Sequence, residues 1–137
     1  MKVSELQLND WVYGIDGGAK HPSVISAVDI YPTNKTPRIV TIGGYGYQQE
    51  HLEPIPLTVE ILEENGFKKK GHRYGIYDDY FDFEIYEYND GTWLVSYHCC
   101  ETSLPDEQIL IFHVHQLQHF MKHCGIEQEI KMVPISR

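Results

Sequence analysis

The residues best able to do chemistry in this sequence fall into four groups, the first of them histidines. His115 and His119 are four residues apart, a spacing that lets two imidazoles on one helix face share a metal ion. His123 would lie about 12 Å beyond His115 at 1.5 Å per helical residue, so one ion cannot take all three. A catalytic zinc needs three protein ligands and an ordered second layer. The zincin pattern H-E-x-x-H is absent, because Gln116 follows His115. The reading is a solvated helix face, with no metal site and no cofactor.

The second group is the vicinal pair Cys99-Cys100 beside His98. A nucleophilic thiolate needs a lowered pKa and an ordered base. Neighbours on a strand point to opposite faces, so His98 is badly placed to activate Cys99, and Cys100 lies two residues along. No catalytic residue is expected here. The third group is the run Lys68-Lys-Lys70 with His72 and Arg73, the only basic cluster. It could meet a phosphate or an acidic partner, but such a run more often forms a solvated strand edge that resists aggregation. The fourth is Tyr77-Asp-Asp-Tyr-Phe-Asp-Phe-Glu-Ile-Tyr-Glu-Tyr88. Tyrosines among carboxylates make large, rigid contacts with polar tips. Asp82, Glu84, Tyr86 and Tyr88 share one strand face and form a candidate partner surface.

These groups need elements to position them. In residues 108–125, Leu110, Val114, Leu117, Met121 and Cys124 recur at steps of 4, 3, 4 and 3, an apolar helix stripe that Phe120 widens. That stripe puts His115, His119 and His123 on the solvent side. The helix is expected over 113–124, entered from an extended run at 109–112 and stopped by Gly125. An earlier helix has both ends written in the sequence. Thr58 caps it, Leu57 can staple onto Leu62, Gly66 stops it and Phe67 can fold back.

Between the helices, Phe81, Phe83 and Ile85 alternate with polar residues, as do Trp93, Val95 and Tyr97 with theirs. A three-residue loop, Asn89-Asp-Gly91, pairs Ile85 with Val95 and Phe83 with Tyr97 and so unites the apolar residues; a two-residue loop mixes the faces. Residues 129–133 are read as a returning edge strand. Residues 1–53 contain four or five short strands with tight turns, including Asp16-Gly17-Gly18 and Gly43-Gly-Tyr-Gly-Tyr47, a pattern that suggests an SH3-like small barrel. Those glycines do not match a nucleotide-binding fingerprint. Residues 53–56, Glu-Pro-Ile-Pro, read as an extended connector.

The chain has 137 residues, 42 % of them hydrophobic, which is enough to build a core. Its net charge of −9 opposes nonspecific nucleic-acid binding. Three cysteines, an odd number with two of them adjacent, fit neither a disulfide scaffold nor a zinc finger. The first ten residues lack the apolar core of a signal peptide, and no run approaches about 18 apolar residues. The expected compartment is the cytoplasm.

Three phrases resemble a family of small uncharacterised bacterial proteins, often encoded in prophage or mobile-element regions. They are Leu8-Asn-Asp-Trp-Val12, the run from Pro54-Ile-Pro-Leu-Thr58 through Ile61-Leu62 to Gly66-Phe67, and Val114-His-Gln-Leu-Gln-His119 followed by Cys124-Gly-Ile126. The resemblance spans nearly the whole chain and implies architecture and context, not a mechanism. It adds interest to His115, Gln116 and Gln118, so His115, Gln118 and His119 join the candidate surface. The expected fold is α+β: an SH3-like barrel in 1–53, then an antiparallel sheet of about four strands with two helices in 54–137. The expected role is a noncatalytic accessory protein that binds another protein. The alternative is a nucleic-acid-binding module using the barrel and the 68–73 patch.

Overall fold

Gly17 and Gly18, with φ of 57° and 83°, close the first hairpin between the paired residues Asp16 and Ala19. Positive φ at both turn positions gives the twist that two antiparallel strands need, and glycine adopts it without strain. The computed structural model describes residues 1–31, 34–41, 46–100 and 106–132. It is an α+β protein whose chain divides into two compact units. One is Met1–Ile55 together with the tail residues Lys131 and Met132; the other is Pro56–Ile130.

The first unit holds β1 (Trp11–Asp16), β2 (Ala19–Tyr31), β3 (Asn34–Thr41), β4 (Gly46–Gln48) and β5 (Leu52–Pro54). They form one antiparallel sheet in the order β4-β3-β2-β1-β5, with the register of β2 on β3 shifting after Ile25 and again after Asp29. A single 3-10 turn at Gln49–His51 separates β4 from β5. Val12, Ile25, Ile39 and Leu52 make the core, with Met1, Leu6, Val28 and Tyr47 packed against it. No pairing between β4 and β5 closes the sheet into a barrel among the described residues. Glu53 and Pro54, read above as connector, are instead strand: they pair with Tyr13 and Val12. Proline is tolerated there because β5 is an edge. Residues 42–45, which include Gly43, Gly44 and Tyr45, lie outside the described residues.

In the second unit, Thr58 caps α1 (Val59–Glu64) by accepting the Ile61 N–H at 3.3 Å. Gly66, at φ 83°, ends it: its N–H reaches the Glu63 carbonyl and the next N–H, of Phe67, reaches Leu62. That pair of bonds is the Schellman stop expected from the sequence. Then come β6 (Lys68–Lys70), β7 (Arg73–Tyr77), β8 (Phe81–Asn89), β9 (Thr92–Cys99) and β10 (Glu107–Ile111), five antiparallel strands rather than about four, in the order β10-β9-β8-β7-β6. The β8–β9 register has Ile85 opposite Val95 and Phe83 opposite Tyr97, as the apolar alternation requires. Asn89 still pairs with Thr92, so Asp90 and Gly91 form the turn and the extra residue is Tyr88, a bulge inside β8.

α2 (Val114–His123) follows β10. Gln116 supports its start: Oε1 accepts the N–H groups of Phe112 at 2.8 Å and His113 at 3.1 Å. Gly125, at φ 75°, stops the helix with a second Schellman pair, Gly125 N–H to Lys122 and Ile126 N–H to Met121. The buried face of the sheet carries Phe83, Ile85, Trp93 and Val95. Val114, Leu117, Phe120 and Met121 of α2 are buried with them, and Phe83 meets both Phe67 and Phe120 ring to ring. Residues 129–132 form no strand, in contrast to the expected edge; Val133 lies outside the described residues. Among the described residues, no helix is long and apolar enough to cross a membrane.

Candidate functional site

The candidate surface is the outer face of the second unit's sheet, opposite the helices. Strand alternation puts Arg73, Gly75 and Tyr77 of β7 beside Glu84 and Asp82 of β8, and Tyr86 beside Leu94 of β9. Tyr77 folds its ring over Gly75, where a Cβ would meet the Tyr77 ring at 2.5 Å. Glycine at 75 therefore makes room for the ring. From there the Tyr77 hydroxyl donates to Glu84 Oε2 at 3.0 Å, while Arg73 Nη1 pairs with Glu84 Oε1 at 3.3 Å. Arg73 also lies over the Tyr86 ring at 5.4 Å, and the Lys70 ammonium sits 4.2 Å from the centre of the Tyr77 ring. Burial, then the hydrogen bond and charge of Glu84, push the Tyr77 pKa up to about 12.

Of the residues named from sequence, Asp82, Glu84 and Tyr86 share this face and are half-buried; Tyr88 is 59 % exposed at the bulge. Glu84 does more than alternation implied. It ties Arg73 to Tyr77 across the strands. Arg73 and Tyr77 themselves were missed as members of the face, although β7 had the signal: its alternate residues continue the pattern of β8. The face turns apolar toward β10, where Tyr86, Leu94 and Leu110 lie in one row across three strands.

His115 corrects the sequence reading. It was placed on the solvent side of α2, but it is 4 % exposed. Its ring stacks on His113 at 5.8 Å between centroids and meets His119 edge-on at 5.6 Å. Burial first, then the neighbouring His119 and His113, push its pKa down to about 4. His115 therefore belongs to the interior and not to a partner surface. Gln118 and His119 are half-buried and His123 is exposed, pairing with Glu107 at 3.2 Å. Leu110, assigned to the apolar helix stripe, is 48 % exposed in β10.

No family model, curated protein or solved structure matches this chain. Chemistry at the remaining groups is set by their surroundings. His98 Nδ1 lies 2.5 Å from Asp106, an exposed pair on the strand face opposite Cys99. Burial and the nearby Glu107 push the Cys124 thiol up to about 11, which leaves it protonated and unreactive at neutral pH. Among the described residues, no group of three histidine, cysteine or acidic side chains is arranged to hold a metal ion.

Proposed function

We propose that this chain is a noncatalytic accessory protein that binds another protein through the outer face of its second sheet. The observation that carries this reading is the lattice of Lys70, Tyr77, Glu84, Arg73 and Tyr86. Its aromatic and guanidinium groups are held in place by their own neighbours before any partner arrives. Tyrosine and arginine are the residue types that concentrate binding energy at protein interfaces. Pre-ordering them lowers the entropy lost on association. Asp82 and Tyr88 flank the lattice and give it an acidic, aromatic margin.

The alternative, nucleic-acid binding through the 68–73 patch, has less support. Lys70 and Arg73 are already engaged with tyrosines and Glu84. The remaining cations belong to a chain of net charge −9. We read the first unit as an SH3-like barrel. Its strand order, the long β2 with two register shifts and the 3-10 turn before β5 support that reading. The resemblance to prophage and mobile-element proteins suggests the biological context. Cys99, Cys100 and Cys124 form no disulfide, which fits a reducing cytoplasm.

Crosslinking capture with wild type, Tyr86→Ala and Tyr88→Ala tests the surface. A partner held by wild type and lost from both variants, with thermal unfolding of Tyr88→Ala unchanged, is the expected result. A partner retained equally by all three proteins would sink the assignment of this face.

A further inference from the structure

The two edges of the second unit's sheet are unlike. β6 is three residues long and consists of exposed lysines. Short, lysine-bearing edges are how sheets resist joining other sheets. β10 has no such protection. It is the terminal strand on the other side, it runs Glu-Gln-Ile-Leu-Ile, and all but Ile111 are exposed. Ile109 and Leu110 are 41 % and 48 % exposed, and Phe112 just beyond the strand is 47 % exposed. Three of the six large hydrophobic side chains exposed among the described residues thus gather on one open strand edge.

We propose that β10 pairs antiparallel with β10 of a second copy of this chain, joining two five-stranded sheets into one of ten strands. The partner is a second copy because the asymmetry of the edges leaves this sheet one adhesive edge, which its own like can match. An edge that pairs with itself about a twofold axis closes after two copies, whereas unlike edges would build an open filament. Charge sets the orientation. Antiparallel pairing centred on Ile109 holds the two Glu107 residues four positions apart, about 13 Å at the rise of a strand, beyond the screening length at physiological salt. Parallel pairing would stack Glu107 on Glu107 and Asp106 on Asp106.

Five paired residues and three apolar side chains from each copy make a contact smaller than a standard specific interface. The dimer is therefore weak and depends on concentration. The open edge ends at Ile111, because the Phe112 carbonyl is taken by the Leu57 N–H. The twofold axis stands perpendicular to the sheet, so the tyrosine faces of both copies lie on the same side. This inference uses the β10 edge and is independent of what that face binds.

Sedimentation velocity on the full chain, from about 5 to about 500 µM, tests it. The expected result is a monomer–dimer equilibrium that shifts at least tenfold toward monomer in Leu110→Lys and stays unchanged in Leu8→Lys. Leu8 is 58 % exposed in the first unit and serves as the control. Amide exchange at residues 107–111 should slow as wild-type concentration rises. A monomer throughout the range, a dimer that Leu110→Lys leaves intact, or exchange at 107–111 that ignores concentration would each overturn the proposal.

Discussion

A ring as deeply buried as His115 takes up a proton less readily in the folded chain than in the unfolded one. Its pKa falls from 6.5 to about 4, first through burial and then through His119 and His113. As pH drops, the unfolded chain is protonated near 6.5 and the folded chain only near 4. The stability contribution is therefore complete above pH 6.5 and is lost as pH falls toward 4. The loss should be on the order of 2 kcal/mol once solvent screening at a helix end is allowed for. Thermal unfolding between about pH 7 and about pH 4.5 measures it, and His115→Leu should flatten that dependence. An unchanged slope in the variant would assign it to other groups. On the same helix, Leu117 is fully buried, and Leu117→Ala should cost about 2–5 kcal/mol in chemical denaturation. His123→Ala, on the exposed side, should stay within about 0.5 kcal/mol. The positions of Val114, Leu117, Phe120 and Met121 were legible in the sequence because the helical period alone places mid-helix residues. Leu110 was misread because it lies in a strand, where alternation governs and carries it to the outer row with Leu94. His115 was misread because it stands in the first turn, where the His113 ring stacks on it and Pro56 pairs beside the helix start.

At the scale of elements, the hairpin register could be read because only one pairing joins Ile85 to Val95 and Phe83 to Tyr97. The position of the extra residue could not. Alternation fixes which residues share a face, while the bulge at Tyr88 depends on how the turn twists. Gly91 sits at φ 76°, so Gly91→Ala should cost about 1 kcal/mol through backbone strain alone. The outer lattice gives a sharper test. In Gly75→Ala the new methyl would occupy the place of the Tyr77 ring, 2.5 Å from its nearest atom. The ring is the free end of a side chain, so it should swing away rather than unfold the strand. Tyr77 would then leave Glu84, and its pKa should drop from about 12 toward 10. Carbon NMR of the tyrosine ring, with Tyr77→Phe identifying the signal, reads this directly. A Tyr77 pKa that stays near 12 in Gly75→Ala would mean that the ring does not depend on the glycine for its place.

For the whole molecule, the two-part organisation was visible in the change from short strands with tight turns to helices around a longer hairpin. The connector at 53–56 was less legible, since Glu53 and Pro54 become an edge strand only when Tyr13 and Val12 are in place to receive them. Long-range pairing of that kind leaves little trace in local composition. Charge, by contrast, is a property of the whole sequence and supports a prediction at this scale. The chain carries 20 acidic and 11 basic residues, and residues 54–137 hold 14 of the acids against 7 bases. The basic patch at 68–73 stands in that second part. Lys70 faces Tyr77, and Arg73 is paired with Glu84, which leaves Lys68 and Lys69 as its outward cations. Two such groups release few counterions from a phosphate backbone, and the surrounding acids repel it at long range. We therefore expect no measurable binding to duplex DNA or single-stranded RNA at physiological salt. Retention should appear only at low ionic strength and should vanish in Lys68→Ala with Lys69→Ala. Micromolar binding at physiological salt that weakens steeply as salt is added would reverse the ranking: the lysine edge would then be a nucleic-acid contact rather than a guard against sheet pairing.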